Sequence, residues 1–417
     1  MTIHTTTSEP AIRRAIKAVA VGKKGSKPLD ENLIDELIND FKEDRVTPIE
    51  RGAFFGALVM KGITPAEQKL ESIIAHNAFS DFKKMVGAIA TDAPDMIQWV
   101  CEKLLSGSTL DKQTTYKVGQ FLFSDEKGEG ARGMIASILR VRYETDEEYE
   151  GLLQAVHETI KPEFRHAVPA GKPIIQIAEP FDGCDHSNMI TPLVARNLQD
   201  LGYRVVTLCG RNSGPKFGNN IYDIAQQLKG DFLGKSAALS DEPKAFGWFL
   251  KQKDLSDALD QWVDRRHKII KRPFLATIER FVNPLTADIC IASAFHPPYG
   301  EKMLTMAERM GFKGNIIVRN GLEGTVAFPL LRSAKILCSA RQADGTYLRH
   351  EFEYNVQEEL GIKPDIEEKL INPSVEKNVA LINEFVDNGQ TSYDLFNGRV
   401  KATSEGIKCA IKWIKEN

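Results

Sequence analysis

The sequence has few cysteines, and none of them is arranged as a metal-binding pair or a disulfide framework. Six cysteines are spread over 417 residues, and no two of them stand in a Cys-x-x-Cys spacing. Zinc ribbons need such pairs, and small secreted proteins need a dense set of cysteines. We therefore expect reduced thiols, most of them buried.

Long apolar runs are also absent from the chain. The longest, such as residues 289–292 and 316–318, are far shorter than the roughly 20 residues that a membrane helix needs. Residues 1–7 lack the basic and apolar pattern of a signal peptide. These absences lead us to expect a cytoplasmic protein without a membrane partner.

Neither sign of charge dominates, because the formal net charge is -3 with 27% charged residues. A surface built wholly for nucleic acid concentrates Lys and Arg, so this balance argues against one but leaves room for a local basic patch. A chain of 417 residues with 42% hydrophobic residues can bury one large core and a smaller one. We therefore expect two domains.

Residues 1–168 show helical periodicity and almost no strand alternation, which predicts a smaller all-helical domain. An offset of 81 positions lays residues 52–58 on 133–139 and then places Thr64 on Thr145 and Glu67 on Glu148. This match indicates a duplicated helical unit. The alternative is a chance match between two amphipathic helices with similar caps.

Residues 169–417 alternate short β-branched runs with helix-length segments. The runs cover residues 174–177, 205–208, 289–292 and 316–318. Strands separated by helices predict an α/β domain whose mostly parallel sheet is flanked by helices. The tail from residue 374 returns to helical periodicity, with Ser374 as its expected cap.

Two segments of this second domain each lie between a predicted strand and a predicted helix. In residues 179–192 the amide groups at a helix start favour an anion. In residues 209–220 three glycines let the backbone approach a ligand, and a lysine and an arginine supply positive charge. An ordinary turn for the first segment and a solvated surface loop for the second are the alternatives.

Three single residues each allow two interpretations when they are considered alone. Arg272 could bind an acid or end a helix, and Glu323 could meet a magnesium ion or face water. His296 stands where a strand should end, at the edge of the sheet on which ligands bind, but a lone loop histidine can equally be structural.

The order and spacing of these segments resemble the anthranilate phosphoribosyltransferase family, which shares its fold with pyrimidine nucleoside phosphorylases. Residues 61–67 are similar to the Lys-Gly-x-Thr-x-x-Glu signature of the family's helical unit. Residues 131–153 match the same unit and lie closer to the first strand, so the first copy is interpreted as an added helical layer. The resemblance implies a homodimer formed through the amino-terminal helices.

The family holds phosphoribosyl pyrophosphate with a glycine-rich loop and an Asn-Ile-Ser-Thr motif. Three glycines of that loop are replaced here, and Glu179 brings a carboxylate to a place that favours donors. The resemblance implies ligand-binding residues in both segments, namely Gly183, Asn188, Thr191, Gly210, Arg211, Asn212, Ser213 and Lys216.

Other family positions are matched only in part. Arg272 is kept, whereas Glu279 and Arg280 replace a Gly-Pro pair. The Asp-Glu pair that binds magnesium in the family falls on Glu323-Gly324, which leaves Glu323 as the implied ligand of Mg²⁺. The anthranilate-receiving histidine falls on Ser256, although the arginine that follows has a counterpart in Arg266. The resemblance is therefore to a divergent branch of the family, some of whose members bind nucleic acid.

Three hypotheses follow from this resemblance. The leading one is a pentosyltransferase-type fold that binds phosphoribosyl pyrophosphate or a nucleotide-like ligand, with Asp182 and Arg272 as catalytic residues and Arg266 facing the acceptor. The rival is a non-catalytic nucleic-acid-binding protein that uses the same basic groove. Its phosphate contacts would be Arg211, Lys216, Arg265, Arg266, Lys268, Lys271 and Arg272. The third is an oligomeric scaffold with a vestigial site.

Overall fold

The computed structural model of the chain describes residues 9–22, 25–294, 297–364, 367 and 369–417. The chain forms two compact units: a helical unit of residues 1–156 with 261–275, and an α/β unit of residues 157–260 with 276–417. The helical unit thus includes a stretch, 261–275, beyond the range 1–168 that the sequence led us to expect. In that stretch buried Trp262 donates from Nε1 to the carbonyl of Leu122 at 2.9 Å and packs edge-on against two phenylalanines.

Helices make up the first part of the chain. They are α1 (Ala11–Val19), α2 (Glu31–Lys42), α3 (Pro48–Lys61), α4 (Phe82–Ile89), α5 (Asp95–Leu105), α6 (Lys112–Leu122), α7 (Glu129–Arg142) and α8 (Asp146–Glu158), with a 3₁₀ helix at Glu67–Ile73. Strands begin after residue 173. In chain order the elements are β1 (Ile174–Ala178), α9 (Thr191–Asp200), β2 (Arg204–Cys209), α10 (Ile221–Gln227), β3 (Asp231–Phe232), β4 (Trp248–Lys251), α11 (Gln252–Leu255), α12 (Asp257–Ile269), α13 (Leu275–Ile278), β5 (Ile289–Ser293), α14 (Pro297–Arg309), β6 (Gly314–Val318), β7 (Ala334–Arg341), β8 (Tyr347–Tyr354), α15 (Val356–Leu360), α16 (Val375–Asn388) and α17 (Asp394–Glu416).

The strands form one sheet in the α/β unit, in the order β3-β4-β2-β1-β5-β6-β7-β8. Strands β1 to β6 pair in parallel, and β7 and β8 add an antiparallel hairpin at one edge. The predicted fold class is therefore confirmed, and the edge hairpin is the part that the sequence pattern did not indicate. The central strands are buried along their whole length, as parallel strands with helices on both faces must be.

The strand order places a topological switch point beside β1. The chain leaves β1 for β2 on one side, and β5 pairs with β1 on the other. Open α/β sheets bind ligands in the crevice at the carboxyl ends of strands at such a point. The two candidate segments follow β1 and β2, so both start at this edge.

The 81-residue offset extends to the hydrogen bonds of the helical unit. Each repeat buries one glutamate, Glu67 or Glu148, completely. The carboxylate of Glu67 accepts from the amides of Leu29 and Thr64 and from Lys61 Nζ, and that of Glu148 accepts from the amides of Leu110 and Thr145 and from Arg142 Nη2. Every donor in one set stands 81 positions from its counterpart in the other. Asp30 and Asp111 likewise cap α2 and α6 in the same way.

Helices α3 and α7 are the equivalent elements of the two repeats, and their backbones touch. A Cβ on Gly52 would lie 1.8 Å from the carbonyl oxygen of Gly130, and a Cβ on Gly133 would lie 2.0 Å from that of Ile49. Because Ile49 and Gly130 are equivalent residues, as are Gly52 and Gly133, the two contacts are reciprocal. This is the pattern of an isologous interface, formed here within one chain.

The six cysteines all lie within the described part of the chain. All six cysteines are free, and only Cys409 is exposed, which confirms the expectation of mostly buried thiols. Burial raises the pKa of Cys101 and Cys290 to about 12, so these thiols stay protonated and unreactive at neutral pH. No helix in the described residues is both long and apolar enough to span a membrane.

The contact between α3 and α7 predicts a large cost for one added methyl group. Gly52→Ala should lower the free energy of unfolding by about 1–3 kcal/mol or more, because its Cβ must push two helix backbones apart. Gly87→Ala is the matched control, since the exposed Gly87 in α4 has no atom within 4 Å of an added Cβ. It should be neutral or stabilising by up to about 1 kcal/mol. Urea unfolding of both variants tests this, and equal stabilities would contradict the close approach.

Candidate functional site

The loops after β1 and β2 pair with each other through their backbones. The amide of Cys184 donates to the carbonyl of Asn219 at 2.9 Å, and the amide of Asn219 donates to the carbonyl of Cys184 at 2.8 Å. Gly183 and Gly218 flank this bridge, and an added Cβ on either would lie 2.5 Å from a backbone oxygen of the opposite loop. Gly183 also has a φ of 71°, which a residue with a side chain rarely adopts. The two segments selected from the sequence, residues 179–192 and 209–220, therefore pair with each other in the structure.

Four hydrogen-bond donors from these loops converge on one carboxylate. The amides of Asp185 and His186, the hydroxyl of Ser187 and the amine of Lys216, here called the donor cluster, surround Glu323. Glu323 Oε1 accepts from His186 N at 2.7 Å and Ser187 Oγ at 2.9 Å, while Oε2 accepts from Asp185 N at 2.9 Å and Lys216 Nζ at 2.8 Å. The donor cluster is thus able to bind an anion, and in this structure that anion is the carboxylate of Glu323 itself.

The donor cluster keeps Glu323 ionised. Burial by itself would raise the pKa of this carboxyl, but the hydrogen bonds from Lys216 and from the amides of Asp185 and His186 outweigh it, so the pKa lies below its usual range. A carboxylate offers about four lone-pair sites, and four donors already use them. A magnesium ion at Glu323 would therefore require a donor to leave. Among the described residues no group of three or more His, Cys, Asp or Glu side chains could hold a metal ion, and the assignment of Mg²⁺ to Glu323 stays a prediction.

A second buried carboxylate stands at the carboxyl end of β1. Glu179 accepts a hydrogen bond from the hydroxyl of Thr191 at 2.6 Å and lies 3.3 Å from the amide of Val326. Burial raises the pKa of Glu179 to about 7, although Thr191, the Val326 amide and the charge of Arg280 all act to lower it. Thr191 was expected to bind ligand phosphate; its hydroxyl donates to Glu179 in this structure, and the expected ligand contact stays a prediction.

The other nominated residues of the α/β unit lie around the same loops. Asp182 and Asn188 are almost fully buried, and Gly210 packs so closely on Phe181 that an added Cβ would lie 2.7 Å from its ring. Asn212 Nδ2 donates to the carbonyl of Gly218 at 2.9 Å. The hydroxyl of Ser213 is fully buried and has no hydrogen-bond partner in the described part of the chain. Buried hydroxyl groups in proteins are nearly always hydrogen-bonded, so Ser213 Oγ can still donate to or accept from a bound group.

A cavity of about 380 Å³ opens beside the donor cluster. Its lining residues come from three segments and include Asp185, Asn212, Lys216, Asn219, Asn372 and Ser374. The side-chain oxygen of buried Asn219 makes no hydrogen bond within the described residues. The volume falls in the range of small-molecule binding sites, and the lining is rich in polar groups.

Several of the basic residues that were expected to contact nucleic acid form ion pairs with carboxylates. Arg211 pairs with Asp260 at 2.9 Å, Arg265 with Glu129 at 2.9 Å, and Lys216 with Glu323. Arg266 and Arg272 belong to the helical unit, where Arg266 is 1% exposed. Their proposed contacts with an acceptor stay a prediction, and nothing in these contacts favours a nucleic-acid groove.

Two residues of the site were not singled out from the sequence. Ser187 lies inside the first nominated segment, but its residue type alone did not distinguish it from its neighbours. Asn378 of α16 accepts from the amide of Met189 at 2.7 Å and from Asn219 Nδ2 at 2.7 Å, which ties this helix to both loops. No sequence signal pointed to Asn378, because its partners lie 159 and 189 positions away. His296 lies outside the described residues.

Comparison with known proteins supports the fold and goes no further. No protein-family model matches the sequence. An uncharacterized protein of Aquifex aeolicus (strain VF5) is 23% identical over 218 residues, which cover 52% of this chain and 64% of that protein. The chain therefore matches less than two thirds of this relative's length.

Solved structures of anthranilate phosphoribosyltransferases have a similar fold. The Thermus thermophilus enzyme superposes with a TM-score of 0.58 at 21% identity, covering 76% of this chain and 90% of that one. The Saccharomyces cerevisiae enzyme in complex with PRPP and Mg gives a TM-score of 0.57 at 13% identity, covering 78% and 92%. The resemblance inferred from the sequence is confirmed for the fold.

The raised pKa of Glu179 predicts how stability changes with pH. The folded chain keeps a proton on Glu179 up to pH about 7, whereas the unfolded carboxyl loses it near 4.5. Stability should therefore fall as pH rises through this window, by roughly 3 kcal/mol from this group. Glu179→Gln removes the titration, so its stability relative to the parent should rise by about 2–3 kcal/mol between pH 5 and pH 8. Denaturant unfolding at both pH values measures the difference, and parallel pH dependences of the two proteins would refute it.

Proposed function

We propose that the α/β unit binds the phosphate groups of a phosphoribosyl or nucleotide-like ligand and that the protein is a pentosyltransferase-type enzyme. One observation carries this proposal, namely the convergence of two amides, a hydroxyl and a lysine at the carboxyl edge of a parallel sheet. These donor types bind phosphate in proteins, and the edge is where open α/β sheets bind ligands. The fold supports the same reading, because the similar yeast structure is a complex with PRPP and Mg.

The reaction that fits this site is displacement of pyrophosphate from the anomeric carbon of a pentose. The leaving group gains negative charge as its bond to carbon breaks, and fixed donors at that place lower the barrier. Lys216 and the amides of Asp185 and His186 would supply this stabilisation. Asn188 and Ser213, both buried beside the loops, would hold further phosphate oxygens, and Asp182 would orient the sugar. Mg²⁺, where required, would screen the charge of the phosphates.

The proposal does not extend to anthranilate as the acceptor. Ser256, which takes the place of the family's acceptor histidine, is fully buried and accepts from the amide of Leu259 at 3.2 Å near the start of α12. It also lies 2.6 Å from the hydroxyl of Thr159. A side chain held in this way caps a helix and offers no imidazole to an aromatic acid.

The homodimer also stays a proposal, for which a molar mass from light scattering is the test.

Lys216→Ala tests the proposed function. It should weaken binding of phosphoribosyl pyrophosphate about ten-fold or more, because a charge-assisted contact worth roughly 1.5–3 kcal/mol is removed. Lys401→Ala, which removes an exposed lysine of α17, is the matched control and should bind like the parent.

Titration calorimetry measures these affinities and also separates the small ligand from nucleic acid. Oligonucleotide binding should fall steeply with salt, with a log-log slope of about -0.7 for each phosphate neutralised on a single strand. Binding of a small ligand at one loop should respond weakly to salt. If phosphoribosyl pyrophosphate fails to bind at millimolar concentration, or if Lys216→Ala binds it as the parent does, the proposed function is wrong.

A further inference from the structure

The carboxylate of Glu323 already accepts from all four donors of the cluster that we propose binds phosphate. Each oxygen of Glu323 accepts two hydrogen bonds, and all four distances lie between 2.7 and 2.9 Å. Two oxygens of a phosphate group could accept from the same four donors, because the O–P–O and O–C–O groups present oxygens at similar separations. A ligand phosphate and the Glu323 carboxylate therefore cannot occupy the cluster together.

The backbone at Glu323 indicates that this carboxylate is held in place by its donors. Glu323 has a φ of 52° and a ψ of 19°, a left-handed conformation that a residue with a side chain adopts at a cost. No helix or strand continues through it, since it sits in a short 3₁₀ turn between Leu322 and Gly324. The hydrogen bonds to the loops after β1 and β2 offset this cost.

The surroundings give a ligand a route to the cluster. Asp185 and Lys216 both line the cavity of about 380 Å³, and the side chain of Lys216 is 21% exposed. A phosphate that enters this cavity can therefore contact Lys216. Up to two negative charges on a phosphate then compete with the single charge of Glu323 for the same amine and amides.

We propose that Glu323 is an internal competitor that occupies the phosphate site until a phosphate-bearing ligand displaces it. This inference rests on the proposed function, because it concerns the same donors. The proposal gives Glu323 a role other than that of a metal ligand, because hydrogen bonds already use the lone pairs of its carboxylate. The site therefore selects ligands whose phosphate groups carry enough charge to displace a carboxylate, such as pyrophosphate and its sugar esters.

The experiment removes the competitor and measures binding of inorganic pyrophosphate by titration calorimetry, with and without magnesium. Glu323→Gly suits the test, because glycine adopts a φ of 52° without strain. If Glu323 occupies the cluster in more than about nine of ten molecules, its removal should raise the apparent affinity about ten-fold or more. Glu323→Gln, which keeps the size and loses the charge, should shift the affinity in the same direction. Glu405→Gln, an exposed glutamate of α17, controls for net charge and should match the parent.

A double variant ties any gain to the donor cluster. Adding Lys216→Ala to Glu323→Gly should abolish the gain, and circular dichroism checks that each variant is folded. Affinity that stays equal or falls in Glu323→Gly, while the parent binds pyrophosphate through Lys216, would overturn the competitor and leave the proposed function intact. A gain seen only with magnesium absent, and reversed by magnesium, would assign Glu323 to the metal and would also overturn the inference. Absence of binding in both the parent and Glu323→Gly would reject the proposed function together with the inference.

Discussion

The carboxylate of Glu323 is the interaction on which the arrangement of the site depends. It joins three loops that are far apart in sequence, those after β1, β2 and β6, through two amides, a hydroxyl and an amine. Without an anion at this point, four donors would converge with no acceptor, and unsatisfied buried donors are costly. An anion at this point, from the chain or from a ligand, therefore satisfies all four donors at once.

The helical unit depends on a different constraint, the close approach of α3 and α7. Glycines at equivalent positions of the two repeats let the backbones touch, and each repeat adds the same buried glutamate with the same three donors. Buried carboxylates are stable only when donors surround them, so each glutamate fixes the positions of the segments that supply its three donors. The two matching segments, which we interpret as a duplication, thus form within one chain an interface of the kind that usually joins two subunits.

Two carboxylates stand in the loops at the carboxyl edge of the sheet. Glu179 accepts a hydrogen bond from the hydroxyl of Thr191, and Glu323 accepts one from the amine of Lys216. Both acids therefore have hydrogen-bond partners within the chain. Under the proposed function, Glu323 occupies the phosphate site while the loops stay paired through Cys184 and Asn219.

The sequence by itself determined the layers of the fold and the segments of the site. Period-2 and period-3.6 patterns are local, so strands such as β1 and β5, the cap at Ser374 and the two loops after β1 and β2 were predicted from their own residues. Only the tertiary structure decided the partners, because contacts such as Asn378 with Met189 join residues 189 positions apart. For the same reason Glu323, which as a residue type could have faced water or a metal, became the acceptor of donors 107 to 138 positions away. Local pattern specifies what a segment is, whereas the meeting of distant loops at one sheet edge specifies what it binds.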